Sequence, residues 1–305
     1  MFSFCIHRRM LIPAPCPEGL LDTLIQIPAG ADHPKPFITA FFMASSNPIS
    51  AFLDAWIPGH GAAQLVFLFL SALIAGLARG FSGFGGALIF VPLAGAAVGP
   101  KIAPALLLVI DGVTTLGMLP DGWRRANRRE VGTMLIGTLV GVPAGTTLLA
   151  VIDPTALRWL ISVVVLCLLI FLISGWRYHG KPKTPLTIGV GALAGLFGGA
   201  AQLSGPPVVA YWLGGAIPPL TVRANLILYF ALSTVISATA YVIGHLLTLD
   251  VLALALIAGP GYGLGVTAGS KLFGFASEGT FRRICFLLIA MAAIVSLPLF
   301  DALRP

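Results

Sequence analysis

Apolar residues along this chain gather into ten runs parted by short polar or glycine-rich punctuation. They cover about 62–79, 87–98, 102–119, 131–151 and 157–176, then 186–201, 206–218, 222–245, 251–272 and 284–300. A helix needs about 20 apolar residues to cross a bilayer, so the pattern predicts an all-α polytopic membrane protein. The runs 87–98 and 206–218 are short, as broken or tilted helices beside a binding site are. Each follows a glycine-rich break: Gly80-Phe81-Ser82-Gly83-Phe84-Gly85-Gly86 in the first half, and Gly198-Gly199-Ala200-Ala201-Gln202-Leu203-Ser204-Gly205-Pro206-Pro207 in the second. Glycine weakens a helix and exposes its backbone. Lipid cannot satisfy the freed groups, so such breaks survive only inside protein or beside a water-filled cavity.

The two sets of five runs read as repeats. Ala75-Gly76-Leu77 returns as Ala194-Gly195-Leu196, and the same spacing of 119 positions sets Gly86 on Gly205, Gly95 on Gly214 and Ala105 on Ala224. Further on, Gly141 and Gly145 align with Gly259 and Gly263 after a drift of one position. Five spans is an odd number, so the second repeat is inverted relative to the first. The expected architecture is two inverted repeats of five membrane segments, each with a broken or short helix near the midplane. Residues 51–180 form the first repeat and 181–305 the second, preceded by a proline-rich extension over 1–50 with no run long enough to span; Met43 is an alternative start within it.

Composition narrows the class. Hydrophobic residues make up 57% of the 305 residues and charged residues 10%, against roughly 25% charged in soluble domains. The net charge of +7 does not point to nucleic acid, because the basic residues cluster in loops. Arg124, Arg125, Arg128 and Arg129 share one loop, Arg177, His179, Lys181 and Lys183 a second, and Lys271, Arg282 and Arg283 a third. With ten crossings all three loops lie in the cytoplasm by the positive-inside rule, and Gly244–Asp250, without Lys or Arg, falls outside. If the two short runs are re-entrant there are eight crossings, and the third loop changes side. The four cysteines, Cys5, Cys16, Cys167 and Cys285, show no C-x-x-C spacing, and no two histidines or His–acid pairs share a helical face within a span, so neither a metal site nor a cofactor is expected.

At the breaks the sequence resembles the TauE/SafE sulfite exporter family of bacterial membrane transporters. The resemblance is carried by Gly76-x-x-x-Gly80-x-x-Gly83-x-Gly85-Gly86 with Val91-Pro92-Leu93, and by Gly195-x-x-x-Gly199, Ser204-Gly205-Pro206-Pro207 and Arg223-Ala224. It implies a secondary transporter, exporting by analogy, for small anions such as sulfite, organosulfonates or related carboxylates, in the bacterial inner membrane.

Broken helices aim free N–H groups and the positive ends of their dipoles at the gap, which favours an anion. Ser82, Gly83, Gly85, Gly86, Gln202, Ser204 and Gly205 are therefore the expected substrate contacts; the competing role for the glycines is close helix packing. Arg223, with Asn225 two positions on, offers a planar fork for oxyanions, or else snorkels to the interface. A charge inside a span is costly and so informative. Asp111, in the middle of 104–119, is either a carboxylate that couples transport to protons or the partner of a nearby arginine, with Arg79 as the candidate. The expected partners are the lipid bilayer, a small anion and protons, with homo-oligomerisation left open. A passive anion channel is the alternative function, or a carrier of a non-sulfur carboxylate. An intramembrane enzyme would need a nucleophile–base pair or metal ligands at membrane depth, which Asp111 alone does not supply.

Overall fold

The computed structural model describes residues 61–117, 123–178, 180, 183–213, 218–272 and 278–298. The expected N-terminal extension lies outside the described residues, as do His179, Lys181 and Gly214. Among the described residues there are no strands, and ten helices occupy the ten apolar runs: α1 Ala62–Ser82, α2 Gly86–Val98, α3 Ile102–Gly117, α4 Arg128–Val151, α5 Pro154–Ile173, α6 Thr184–Ala201, α7 Gly205–Leu213, α8 Pro219–Ile243, α9 Leu249–Leu272 and α10 Glu278–Ser296. Six of them, α1, α4, α5, α6, α8 and α9, are long and apolar enough to cross a membrane. Their outward faces carry large apolar side chains, such as Val140 at 71% and Leu256 at 72% exposure, which suits contact with lipid tails.

Helix ends follow local chemistry. Asp153 accepts from the backbone N–H groups of Thr155 and Ala156 and so starts α5, with Pro154 behind it in the first turn. Asn127 caps α4 through Glu130 N–H. Both breaks use a left-handed residue directly after the helix, at positions with the 119-residue spacing: Gly83 at φ 76° and Gln202 at φ 58°. The first break has a second left-handed glycine, Gly85 at φ 95°. At Gln202 a side chain occupies a conformation that costs an L-residue about 1 kcal/mol, so the break in α6 is held against local preference by its surroundings.

Two helix pairs dominate the packing, α4 along α6 and α9 along α1, and both pairs run parallel. Gly137, Gly141 and Gly145 of α4 lie against the carbonyls of Ile188, Ala192 and Leu196, while Gly261, Gly265 and Gly269 of α9 lie against those of Phe69, Leu73 and Leu77. From the α6 side Gly195 and Gly199 close on Thr138 and Val142, and from the α1 side Gly76 and Gly80 close on Tyr262 and Val266. The two interfaces thus share one register. It corrects the sequence alignment of the later glycines: the partners of Gly141 and Gly145 are Gly265 and Gly269. Gly263 has open space where a Cβ would be, and Gly259 only an ordinary contact with Ile110. Spacing alone could not separate these choices, because the α9 segment holds a glycine at nearly every second position.

The pairs run in opposite directions. Asn225 near the start of α8 meets Asn127 at the start of α4, and Gly244 after the end of α8 lies near Thr146 of α4, so α8 rises with α4. Gln64 at the start of α1 bonds the Ala97 carbonyl near the end of α2, and Lys101 just beyond α2 bonds the Ala150 carbonyl near the end of α4, so α1 starts at the end where α4 finishes.

A side chain at an interface glycine would enter backbone, which cannot yield as a flexible side chain can. Gly141→Val and Gly265→Val should each cost about 2 kcal/mol or more through overpacking, read as a lowered unfolding temperature in detergent. Gly189→Ala, which meets nothing within 4 Å, should leave it unchanged or slightly raised.

Candidate functional site

The two breaks meet. A Cβ on Gly205, the first residue of α7, would lie 3.6 Å from Cβ of Phe84 in the first break. Around this meeting point is a cavity of about 60 Å³ lined by both breaks and by α3, α8 and α9. A single water needs roughly 10–15 Å³ of such space, so the cavity suits a few waters or one small ion.

One ion pair dominates its wall. Arg79 Nε donates to Asp111 Oδ1 at 3.0 Å and Nη2 to Oδ2 at 3.3 Å, a bidentate pairing. Nη2 also donates to Thr115 Oγ1 at 3.1 Å, Nη1 donates to the carbonyl of Gly83, and the guanidinium lies 5.5 Å from the ring centre of Phe230. Asp111 Oδ1 further accepts from the Tyr262 hydroxyl at 2.6 Å. The side chains retain 16% and 26% exposure, so the pair is shielded from lipid yet reachable from the cavity. Asp111 is thus the partner of an arginine, and that arginine is Arg79.

The breaks satisfy their own freed groups. Arg79 covers the Gly83 carbonyl, and the single Ser82 hydroxyl proton is shared between the carbonyls of Ala78 and Phe84. In the second break Gln202 N–H bonds Gly198 and the buried Tyr241 hydroxyl donates to Gly199 at 2.8 Å. The buried Gln202 side-chain amide lies beside that same Tyr241 hydroxyl. The two helix starts are unequal as donors. Gly86 and Ala87 open α2 with N–H groups at the cavity, whereas Pro206 and Pro207, just inside α7, have none to offer.

Of the expected contacts, Gly85, Gly86, Gln202, Ser204 and Gly205 line this cavity together with Arg79 and Asp111. Gly83 reaches it only through its carbonyl on Arg79. Ser82 lies instead on an adjoining cavity of about 270 Å³, which shares Phe84 and Gly85, is walled largely by aromatic and aliphatic side chains, and extends to Gly175, Trp176 and Arg177. Arg223 and Asn225 are placed elsewhere: Arg223 is exposed, while Asn225 is fully buried and accepts from Asn127 N–H at 2.7 Å. Sequence reasoning did not find Tyr262, Thr115, Phe230, Ser233 or Thr234. Tyr262 had a usable signal, a hydroxyl-bearing ring within Gly259-Pro260-Gly261-Tyr262-Gly263. The others sit in ordinary apolar runs.

Freed backbone and an ion pair, enclosed among helices able to cross a membrane, define a multi-pass membrane protein with a polar site in its interior. The sequence profile described as Sulfite exporter TauE/SafE matches residues 68–296, and the chain belongs to that family of membrane transporters. Neither a curated protein nor a solved structure matches it.

Removing one member of the pair strands the other. Asp111→Ala should cost about 2 kcal/mol, less than for a fully buried pair because both groups keep some water. Adding Arg79→Leu should recover part of that loss. Thermal unfolding of the two single variants and the double variant reads the coupling, and strictly additive losses would contradict it.

Proposed function

We infer that this protein is a secondary transporter, exporting a small anion such as sulfite, an organosulfonate or a related carboxylate across a bacterial inner membrane, and that the anion binds in the cavity between the two breaks. The observation that carries this reading is the convergence of both helix breaks on the one cavity whose wall holds Arg79. Arg79 is the cation we assign to the substrate, since its planar fork matches sulfonate and carboxylate oxygens. The N–H groups that open α2, with Ser204 and Gln202 from the second break, complete the donor set. The Gln202 amide, beside the Tyr241 hydroxyl, brings a side-chain donor to the cavity.

The reading includes two inverted repeats of five segments. It is supported by the shared register of the two glycine interfaces and by the opposite run of the helix pairs. Inverted repeats place a site near the midplane and let the halves exchange roles. The wider cavity reaching Arg177, on the side of the basic loops, is the route we assign to the cytoplasmic face. A cavity closed by an ion pair favours a carrier over an open pore, and Asp111 is the group in it able to host a coupling proton.

A thermal-shift titration of purified protein with sulfite, thiosulfate, methanesulfonate, sulfate and acetate tests the site. A true ligand at 100 times its Kd should stabilise the protein by about 2.7 kcal/mol. Arg79→Lys, which keeps the charge and loses the fork, should weaken the response at least several-fold. No response from any of these anions would remove the anion reading. A response that survives Arg79→Lys and disappears in Arg223→Ala would move the site to the start of α8.

A further inference from the structure

We propose that Asp111 is the resting occupant of the anion site, so that substrate anion and proton bind together, one proton for each anion, or not at all. This rests on the reading that the cavity takes an anion at Arg79. In the structure that fork is already filled. Nε and Nη2, the edge that would grip an oxyanion, both face Asp111, Nη2 also holds Thr115, Nη1 holds the Gly83 carbonyl, and Phe230 covers a face. Asp111 is equally engaged, with Oδ1 accepting from Arg79 and Tyr262, and Oδ2 from Arg79 and Thr115. The two charges balance, and the pair is neutral as a unit.

A second anion cannot join it. Two negative charges on one guanidinium in a site of low dielectric repel strongly, and nothing else charged lines the described cavity to offset them. The groups that bond Asp111 are Arg79 from α1, Tyr262 from α9 and its own neighbours Thr114 and Thr115, and the uncharged Phe230, Ser233 and Thr234 from α8 and Leu88 from α2 line the same cavity. Among the described residues that line the cavity, Arg79 is the sole cation. A proton taken from cavity water onto an Asp111 oxygen cancels the internal anion and releases the edge of the fork to a substrate oxyanion. Loss of that proton to water on the other side restores the pair and expels the substrate. A monoanion and its proton together add no net charge, so the translocated complex is electroneutral.

Two consequences are measurable. Transport of a monoanion ignores the membrane potential, and a pH gradient drives accumulation of about tenfold per pH unit on the more alkaline side at equilibrium, the ratio set by one proton per anion, so export from an alkaline cytoplasm runs on an outward anion gradient larger than that ratio. Methanesulfonate is the informative probe, because it stays ionised throughout the usable pH range and any proton that travels with it is carried by the protein. The experiment uses full-length protein in proteoliposomes. It follows labelled methanesulfonate and sulfite with potassium and valinomycin setting the potential and internal buffer setting the pH gradient, and a trapped pH dye counts protons.

The expected result is methanesulfonate flux driven by the pH gradient, indifferent to potential, with one proton moved per anion. Asp111→Asn should reverse both dependences, giving flux that follows the potential and no longer responds to the pH gradient. A purely structural role for Asp111 would lower the rate without changing what drives it. Wild-type methanesulfonate flux that follows the potential with no proton movement would overturn the proposal, and this arm needs no variant to fold. Absence of wild-type flux for both anions would defeat the anion-carrier reading itself.

Discussion

Backbone groups freed by a broken helix cannot be left facing lipid, and this chain breaks two helices in its interior. The rest of the structure answers that constraint. Gly83 and Phe84 carbonyls are covered by Arg79 and Ser82, and the Gly199 carbonyl by the buried Tyr241. Arg79 can serve the first break only because Asp111, Thr115 and Tyr262 hold its charge in place. The same side chain that keeps the backbone satisfied therefore carries the charge of the site, and the integrity of the break and its chemistry depend on one pair.

Close approach of the helices is what brings those groups together. Lipid tails are as apolar as leucine, so helices in a membrane gain little from burying apolar surface against each other and associate by contact. Glycine stripes on α1, α4, α6 and α9 allow backbone to meet backbone at both parallel interfaces. The α1–α9 interface sets Tyr262 at the height where its hydroxyl reaches Asp111. At the corresponding place in the other pair stands Thr138, which bonds the Tyr229 hydroxyl instead. One scaffold thus gives a charged arrangement on one side and a neutral one on the other.

Much of this was legible in the sequence because it rests on periodicity and punctuation. Ten apolar runs became ten helices, and the breaks fell at Gly83 and Gln202 because glycine, or a side chain forced left-handed, ends each helix there. Asp111 and Arg79 stood out because a charge within a span needs a partner. The glycine register of α9 was not legible: in a segment so rich in glycine, only the carbonyls opposite decide which residues touch. Nor was the placement of Arg223, since a basic residue at a helix start reads alike whether it faces a cavity or the surface. Tyr262 and Phe230 reach the site through tertiary packing that no local pattern encodes.

The two breaks share a plan and differ in chemistry. Proline at positions 206 and 207 removes two of the N–H groups that a helix start would present, and Gln202 and Ser204 stand where the first break has Gly83 and Gly85. The second break therefore gives side-chain amide and hydroxyl groups in place of backbone donors, while the first gives backbone donors and the only cation among the described cavity residues. A ligand held between them would be bound by charge and backbone on one side and oriented by neutral side chains on the other. Arg79 and Asp111 both belong to the first half of the chain, while Tyr262, which bonds Asp111, and Phe230, which covers the guanidinium, belong to the second. The ion pair lies within one half, but the hydrogen bond that Tyr262 donates to Asp111 ties it to the other, so the two halves of the chain are coupled at the charged centre of the site.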